Sequence, residues 1–206
     1  VAKVASSGKT PRIGLTGGIA SGKTLIAAMF EVCGAAVAFA DQMARGLMEM
    51  PGEVKEQLSD LLGEEAYLPD GKLNRPHVGQ LLFSDESILE KVNAIVHPAV
   101  AGAAEAWHVR MIEKVPYTIY ESALLFETGT YKSFDAVILV HAPMTLRLER
   151  AMKRDNADKD AILARMEAQW NDEQRLRQEA FVILNDGTQS LVEQVWGFHR
   201  AVMAAQ

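Results

Sequence analysis

Short apolar runs fall at residues 12–15, 36–40, 117–120, 136–140 and 181–184 of the chain. They do not alternate with polar positions, so they predict strands covered on both faces, as in a parallel sheet. The last run leads into Asn185-Asp186-Gly187, a turn sequence. Longer stretches with helical spacing lie between them, at 23–32, 97–113, 144–153, 161–170 and 190–203. Strands alternating with helices predict an α/β fold built on a five-stranded parallel sheet with helices on both faces.

The spacing of these elements is uneven. A parallel crossover needs about a dozen residues, and the stretch from Asp41 to Thr118 is several times longer. The surplus predicts a helical insertion over about 43–114. A smaller charged, helical surplus separates Val140 from Phe181 and predicts a second excursion over about 146–180. The core then comprises about 11–42, 115–145 and 181–206, all within a single domain over 11–206. Residues 1–10 are expected to be a mobile lead-in.

The segment Gly17-Gly18-Ile19-Ala20-Ser21-Gly22-Lys23-Thr24 satisfies G-x-x-x-x-G-K-[ST], between a predicted strand and a predicted helix. Glycines let the backbone curl so that successive N–H groups point inward at a phosphate, and the helix adds the positive end of its dipole. Lys23 is placed to reach the β- and γ-phosphates, and the Thr24 hydroxyl to ligate Mg²⁺. Ser7-Gly8-Lys9-Thr10 repeats the Gly-Lys-Thr step without a preceding strand or the earlier glycine, and is a decoy. The chain has no guanine-reading Asn-Lys-x-Asp, which favours a transferase over a GTPase switch.

Ligands of doubly wound sheets sit beyond the carboxyl ends of the strands. Asp41 follows the second strand there. It reads equally as a general base for an acceptor hydroxyl, as a Mg²⁺-facing carboxylate, or as a helix N-cap. Glu121 ends the third strand in a comparable place. Arg147, Arg150 and Arg154 share one helical face, where either a phosphate or the neighbouring Glu149 and Asp155 could balance them. The five histidines show no i,i+4 pair and no nearby Cys, which does not suit a zinc site. His97-Pro98 reads as a helix start. Cys33 reads as a small buried apolar residue, and Trp107, Trp170 and Trp196 read as packing residues.

Composition narrows the class. The 206 residues are 49% hydrophobic and 23% charged, an ordinary globular balance. With 21 Lys and Arg against 27 Asp and Glu the formal net charge is −6, unsuited to sequence-independent nucleic-acid binding. One cysteine permits no intrachain disulfide and suits a reducing, cytoplasmic setting. No apolar run reaches the length of about 18 residues that spans a bilayer, and the first residues lack a secretory apolar stretch. A monomer or weak homo-oligomer, without membrane or nucleic-acid partners, is expected.

Taken in order, these motifs resemble the dephospho-CoA kinase family over about residues 12–200. The phosphate loop with its preceding Ile13-Gly-Leu-Thr is close to the family's opening, and Val37-Ala-Phe-Ala-Asp-Gln-Met-Ala-Arg45 is similar to V-I-D-A-D-x-I-A-R. Asp70-Gly-Lys-Leu-Asn-Arg75, His97-Pro98, Leu124-Leu-Phe-Glu127, Arg150-Ala-Met-Lys-Arg154-Asp155, Gln169 and Asn185 follow in family order. The resemblance implies a P-loop, nucleoside-monophosphate-kinase-like core with a helical CoA-binding insertion and a lid. It implies transfer of the ATP γ-phosphoryl to the ribose 3′-hydroxyl of dephospho-CoA, with Mg²⁺. Asp41 would be the base and Lys23 the catalytic cation. Gly17, Gly18, Ala20, Ser21, Gly22, Lys23, Thr24, Leu25 and Arg154 would hold ATP, and Asp41, Arg45, Arg75 and His97 the acceptor. The sequence departs from the family at Phe39, in place of the first Asp of D-A-D, at Ala20 for Gly, at Thr24 for Ser, and in Glu121-Ser122-Ala123. The alternatives are another small-metabolite or nucleoside monophosphate kinase and a non-catalytic nucleotide-binding module.

Overall fold

The computed structural model describes residues 10–206. The decoy at Ser7, Gly8 and Lys9 and most of the expected lead-in lie outside these residues. Thr10 itself is tied down, its Oγ1 accepting a hydrogen bond from the Glu113 N–H at 3.2 Å.

The strands are β1 (Arg12–Thr16), β2 (Ala36–Phe39), β3 (Thr118–Glu121), β4 (Ala136–His141) and β5 (Phe181–Leu184). They form one five-stranded parallel sheet in the order β2-β3-β1-β4-β5. β1 is central and pairs with β3 (Leu15 opposite Glu121) and with β4 (Thr16 opposite Leu139). β4 in turn pairs with β5, setting His141 opposite Leu184. The carboxyl ends of these strands therefore emerge along one edge of the sheet.

Both sheet faces are covered, which is why the strand sequences are continuously apolar. On one side, helix α1 (Lys23–Val32) buries Ile26, Ala27 and Phe30, and helix α9 (Leu191–Ala204) buries Val195, Phe198 and Val202. Phe198 meets Phe30 at 5.7 Å and Phe181 at 5.0 Å between ring centroids. Tyr117 is fully buried beside them, and its hydroxyl lies 2.9 Å from His199 Nδ1. Elsewhere Val137 and Leu139 pack with Phe126, Phe134 and Trp170. Three further helices follow in the same part of the chain: α6 (Met144–Asp155), α7 (Lys159–Glu167) and α8 (Asp172–Leu176).

The chain forms two compact units. The first runs through Ala38 and resumes over Met111–Gln206, and the second is Phe39–Arg110. The second contains α2 (Ala40–Glu49), α3 (Glu53–Leu62), α4 (Arg75–Ser84) and nearly all of α5 (Glu86–Met111). Lys55 knits this unit together. Its Nζ donates to Glu49 O at 3.3 Å and Gly71 O at 2.8 Å, and lies over the Tyr67 ring. The Asp70-Gly71 step is a tight turn, with Gly71 at φ +82° and Leu68 N–H bonded to Lys72 O at 2.8 Å. This turn feeds directly into α4, whose first residue is Arg75.

Two expectations are corrected here. α5 starts at Glu86, so His97-Pro98 lies inside it rather than at its start. The buried stripe Val92, Val96, Val100, Ala104 runs through the proline, and Pro98 sits on the exposed side, where a lost backbone hydrogen bond is tolerated best. Cys33 caps α1 and is half-buried rather than a core residue. Trp196, half exposed, packs on His199. Among the described residues no helix is long and apolar enough to cross a membrane.

Candidate active site

The loop between β1 and α1 turns because its glycines occupy backbone space that other residues cannot. Gly22 has φ +102°, and a Cβ there would lie 2.1 Å from Asn185 Nδ2. Gly17 has φ +152°, and a Cβ there would lie 2.3 Å from Val140 O. At Gly18 a Cβ would meet Arg147 Nη1 at 2.4 Å. Ser21 N–H closes the turn on Gly18 O at 3.1 Å.

α1 begins at Lys23. The first N–H groups of a helix have no acceptor within it, and the first backbone bond here runs from Ile26 N–H to Gly22 O. Its first turn carries no acidic residue, so no carboxylate of its own neutralises the positive end of the dipole. Lys23 Nζ folds back over the loop, donating to Gly17 O at 2.9 Å and Gly18 O at 3.4 Å, 3.8 Å from the buried Glu121 carboxylate. Thr24 and Leu25 are exposed in the first turn. A helix terminus of this kind, with an ammonium across its mouth, can accommodate an anion. The Thr24 hydroxyl offers the hard oxygen that Mg²⁺ requires, so the residues present fit that ion.

Ala20 adopts φ +58°, the left-handed region that glycine enters freely. Its methyl packs with Ile19 against Ala151, Ile162 and Met166. Strain of about 1–2 kcal/mol is therefore offset in part by burial of one methyl, about 0.8 kcal/mol. Ala20→Gly is expected to leave the melting temperature within a few degrees. Ala20→Val, β-branched in the same conformation, is expected to cost about 1–3 kcal/mol, read as a lower denaturant midpoint.

The arginine face divides. Arg147 is buried, donating from Nε to Ala142 O at 2.9 Å and from Nη2 to both oxygens of Asp172 at 2.8 and 2.9 Å. Arg150 donates from Nη2 to Asn185 O at 3.1 Å. Arg154 is exposed on the Asp155 carboxylate, with Nε at 2.7 Å, and Arg165 binds the same carboxylate. These two guanidiniums hold the Asp155 carboxyl well below its ordinary range.

A buried group that sequence reasoning left without a role lies beside the loop. Arg175 donates from Nη2 to Glu127 Oε1 at 3.1 Å and Gln169 Oε1 at 3.2 Å. Burial pulls its guanidinium below the usual value, and the Glu127 carboxylate opposes that pull. Glu127 Oε1 also accepts from Trp170 N–H at 3.0 Å. The sequence signals for this group are Glu127 in Leu124-Leu-Phe-Glu127 and Gln169, both in family order.

The remaining candidates lie in the second unit. Asp41 is exposed in the first turn of α2. The cap position belongs to Phe39 and no side chain caps the helix, so the N-cap reading of Asp41 is set aside. Arg45 is exposed on the same helix, and Arg75 opens α4 with Nη2 4.0 Å from Glu49. His97 is exposed within α5.

The dephospho-CoA kinase family model matches residues 12–190. A dephospho-CoA kinase of Bacteroides fragilis is 36% identical over 186 residues, covering 89% of each chain. One from Bacillus licheniformis is 39% identical over 85% of this chain and 88% of its own. A solved protein of Thermus thermophilus superposes with a TM-score of 0.80 at 32% identity, covering 95% of this chain and 97% of that one. The dephospho-CoA kinase structure from Campylobacter jejuni gives 0.68 at 21%, a likeness of fold, over 94% of this chain and 97% of its own. A glycine-constrained loop ending in Lys23-Thr24 on a five-stranded parallel sheet, matched along nearly its whole length, places this chain in the dephospho-CoA kinase family.

Proposed function

We propose that this chain transfers the γ-phosphoryl group of ATP to the ribose 3′-hydroxyl of dephospho-CoA, giving coenzyme A and ADP. The observation that supports this most is the phosphate loop, set in a family match that continues through the residues expected to carry the acceptor chemistry.

Phosphoryl transfer depends on positioning and on charge stabilisation more than on covalent chemistry. Gly17, Gly18, Ala20, Ser21, Gly22, Lys23, Thr24 and Leu25 line the phosphate site; the N–H groups at the start of α1 donate to the phosphates of ATP, while that of Ser21 holds the turn on Gly18 O. Lys23 exchanges the Gly17 and Gly18 carbonyls for phosphate oxygens and follows charge onto the leaving group. Mg²⁺, held by the Thr24 hydroxyl, would neutralise phosphate charge. Arg154 is the lid-side contact, and a phosphate competes for its fork with Asp155.

Asp41 orients the acceptor hydroxyl and takes its proton as the new P–O bond forms. Arg45 and Arg75 offer cationic groups to the phosphate-bearing acceptor, and His97 offers a hydrogen-bonding ring. We assign the helical insertion, about 43–114, to acceptor binding and about 146–180 to the lid. Exclusion of water matters here, because water is a competing acceptor for the same phosphoryl group. The single cysteine accords with a reducing cytoplasmic setting.

A coupled assay of ADP release tests the proposal. ADP release is expected to rise at least about a hundredfold when dephospho-CoA is added, and to stay near the ATP-only rate with AMP, CMP or UMP. Equal or greater stimulation by a nucleoside monophosphate would assign the chain to another acceptor. No stimulation by any of them would make it a binding module.

A further inference from the structure

We propose that two side-chain amides outside the phosphate loop, those of Gln169 and Asn185, fix the direction of its peptide groups, each backed by an arginine. They are then positioning residues for the nucleotide. This rests on the phosphate-binding role proposed above for the loop.

A loop binds phosphate only if its peptide groups are held in one course, so that the donor N–H groups face the phosphate and the remaining peptide groups are engaged elsewhere. Residues 19–21 form the crown of this loop, and side-chain amides hold it at both ends. At one end the Ile19 N–H, which is not one of the cradle donors, is held away by Gln169 Oε1 at 3.2 Å. That oxygen is shared with Arg175 Nη2, also at 3.2 Å. Arg175 is 2% exposed and anchored on Glu127, so Gln169 is held against a buried, fixed cation. At the other end Asn185 Nδ2 donates to Ser21 O at 2.8 Å and holds that carbonyl on the Asn185 side. Asn185 is itself fixed, because its N–H continues the β4–β5 ladder onto His141 O at 2.8 Å and its carbonyl accepts from Arg150 Nη2.

The same grip accounts for two glycines. Asn185 Nδ2 occupies the place of a Cβ on Gly22, and Arg147 Nη1 that of a Cβ on Gly18. A side chain at either glycine would clash with these neighbours in the present loop course. Arg147 and Arg150, which share a helical face with Arg154, face the loop's scaffold here through Ala142, Asp172 and Asn185.

The test measures ADP affinity by calorimetry with Mg²⁺, and steady-state constants for both substrates, in wild type and in Asn185→Leu, Gln169→Leu and Gln169→Glu. One lost hydrogen bond corresponds to about fivefold in affinity. Each leucine variant is expected to weaken ADP binding about fivefold or more and to raise KM for ATP in step. KM for dephospho-CoA should stay within about twofold. Gln169→Glu, which keeps the acceptor that Ile19 and Arg175 use, is expected to bind ADP more tightly than Gln169→Leu. The proposal is overturned if folded leucine variants lose less than about fivefold, if both KM values rise together, or if Glu at 169 gives no recovery. Where a leucine variant does not fold, Asn185→Asp and Gln169→Met carry the same readouts and the same thresholds. A wild-type protein that binds no ADP would defeat the phosphate-loop role itself, and is seen before any variant is compared.

Discussion

Asp41→Asn is expected to keep ATP affinity close to wild type while turnover falls by about 100- to 10,000-fold, the range that a positioned general base supplies. Asn has the shape of Asp and can orient a hydroxyl, but it cannot take the proton. Asp41 is exposed in the first turn of α2 and caps no helix, so the substitution removes no structural bond given by that position. The thermal midpoint should stay put. The measurement is kcat and both KM values, with circular dichroism to establish folding. Turnover within about threefold of wild type would remove Asp41 from the chemistry, since general-base losses begin near a hundredfold.

Lys23→Met is expected to have the second large effect, of a different kind. Met keeps the length and apolar stem of Lys and removes only the ammonium. Phosphate binding and transition-state stabilisation should fall together, with kcat/KM for ATP lower by at least about 100- to 1,000-fold. ADP affinity should drop as well, which separates this variant from Asp41→Asn. Stability should also fall modestly, because Lys23 Nζ bonds the Gly17 and Gly18 carbonyls. Lys23→Arg is not expected to rescue activity, since the broad guanidinium fork cannot take the place of a compact ammonium over a loop this tight. Calorimetry with ADP and Mg²⁺ reads both variants.

Much of the core was legible in the pattern of residues, for physical reasons. Strands buried on both faces write themselves as apolar runs, and β5 over Phe181–Leu184 and α1 over Lys23–Val32 lie where the pattern placed them. The strand, glycine loop and Lys-Thr helix start were readable because that backbone course tolerates few other sequences. The start of α5 is not legible from His97-Pro98, because a proline suits a first helical turn, whereas the stripe Val92, Val96, Val100 carries the helix past Pro98. Glu127 and Gln169 stand in family order, but their joining with Asp172 and Arg175 into one buried cluster has no sequence signature, because charged residues are read as surface unless their partners are known. Arg175 and Glu127 are 48 residues apart, and only the folded chain brings them together. Ala20 stood out as a replacement for glycine, and its φ of +58° shows what the replacement costs.

The most direct test identifies the product. ATP labelled at the γ-phosphoryl group would be incubated with the protein, Mg²⁺ and dephospho-CoA, and the labelled product located by phosphorus NMR and mass spectrometry. The account predicts label on the ribose 3′-oxygen, in stoichiometric balance with ADP. Label appearing only as inorganic phosphate, or on any other oxygen of the acceptor, would contradict it.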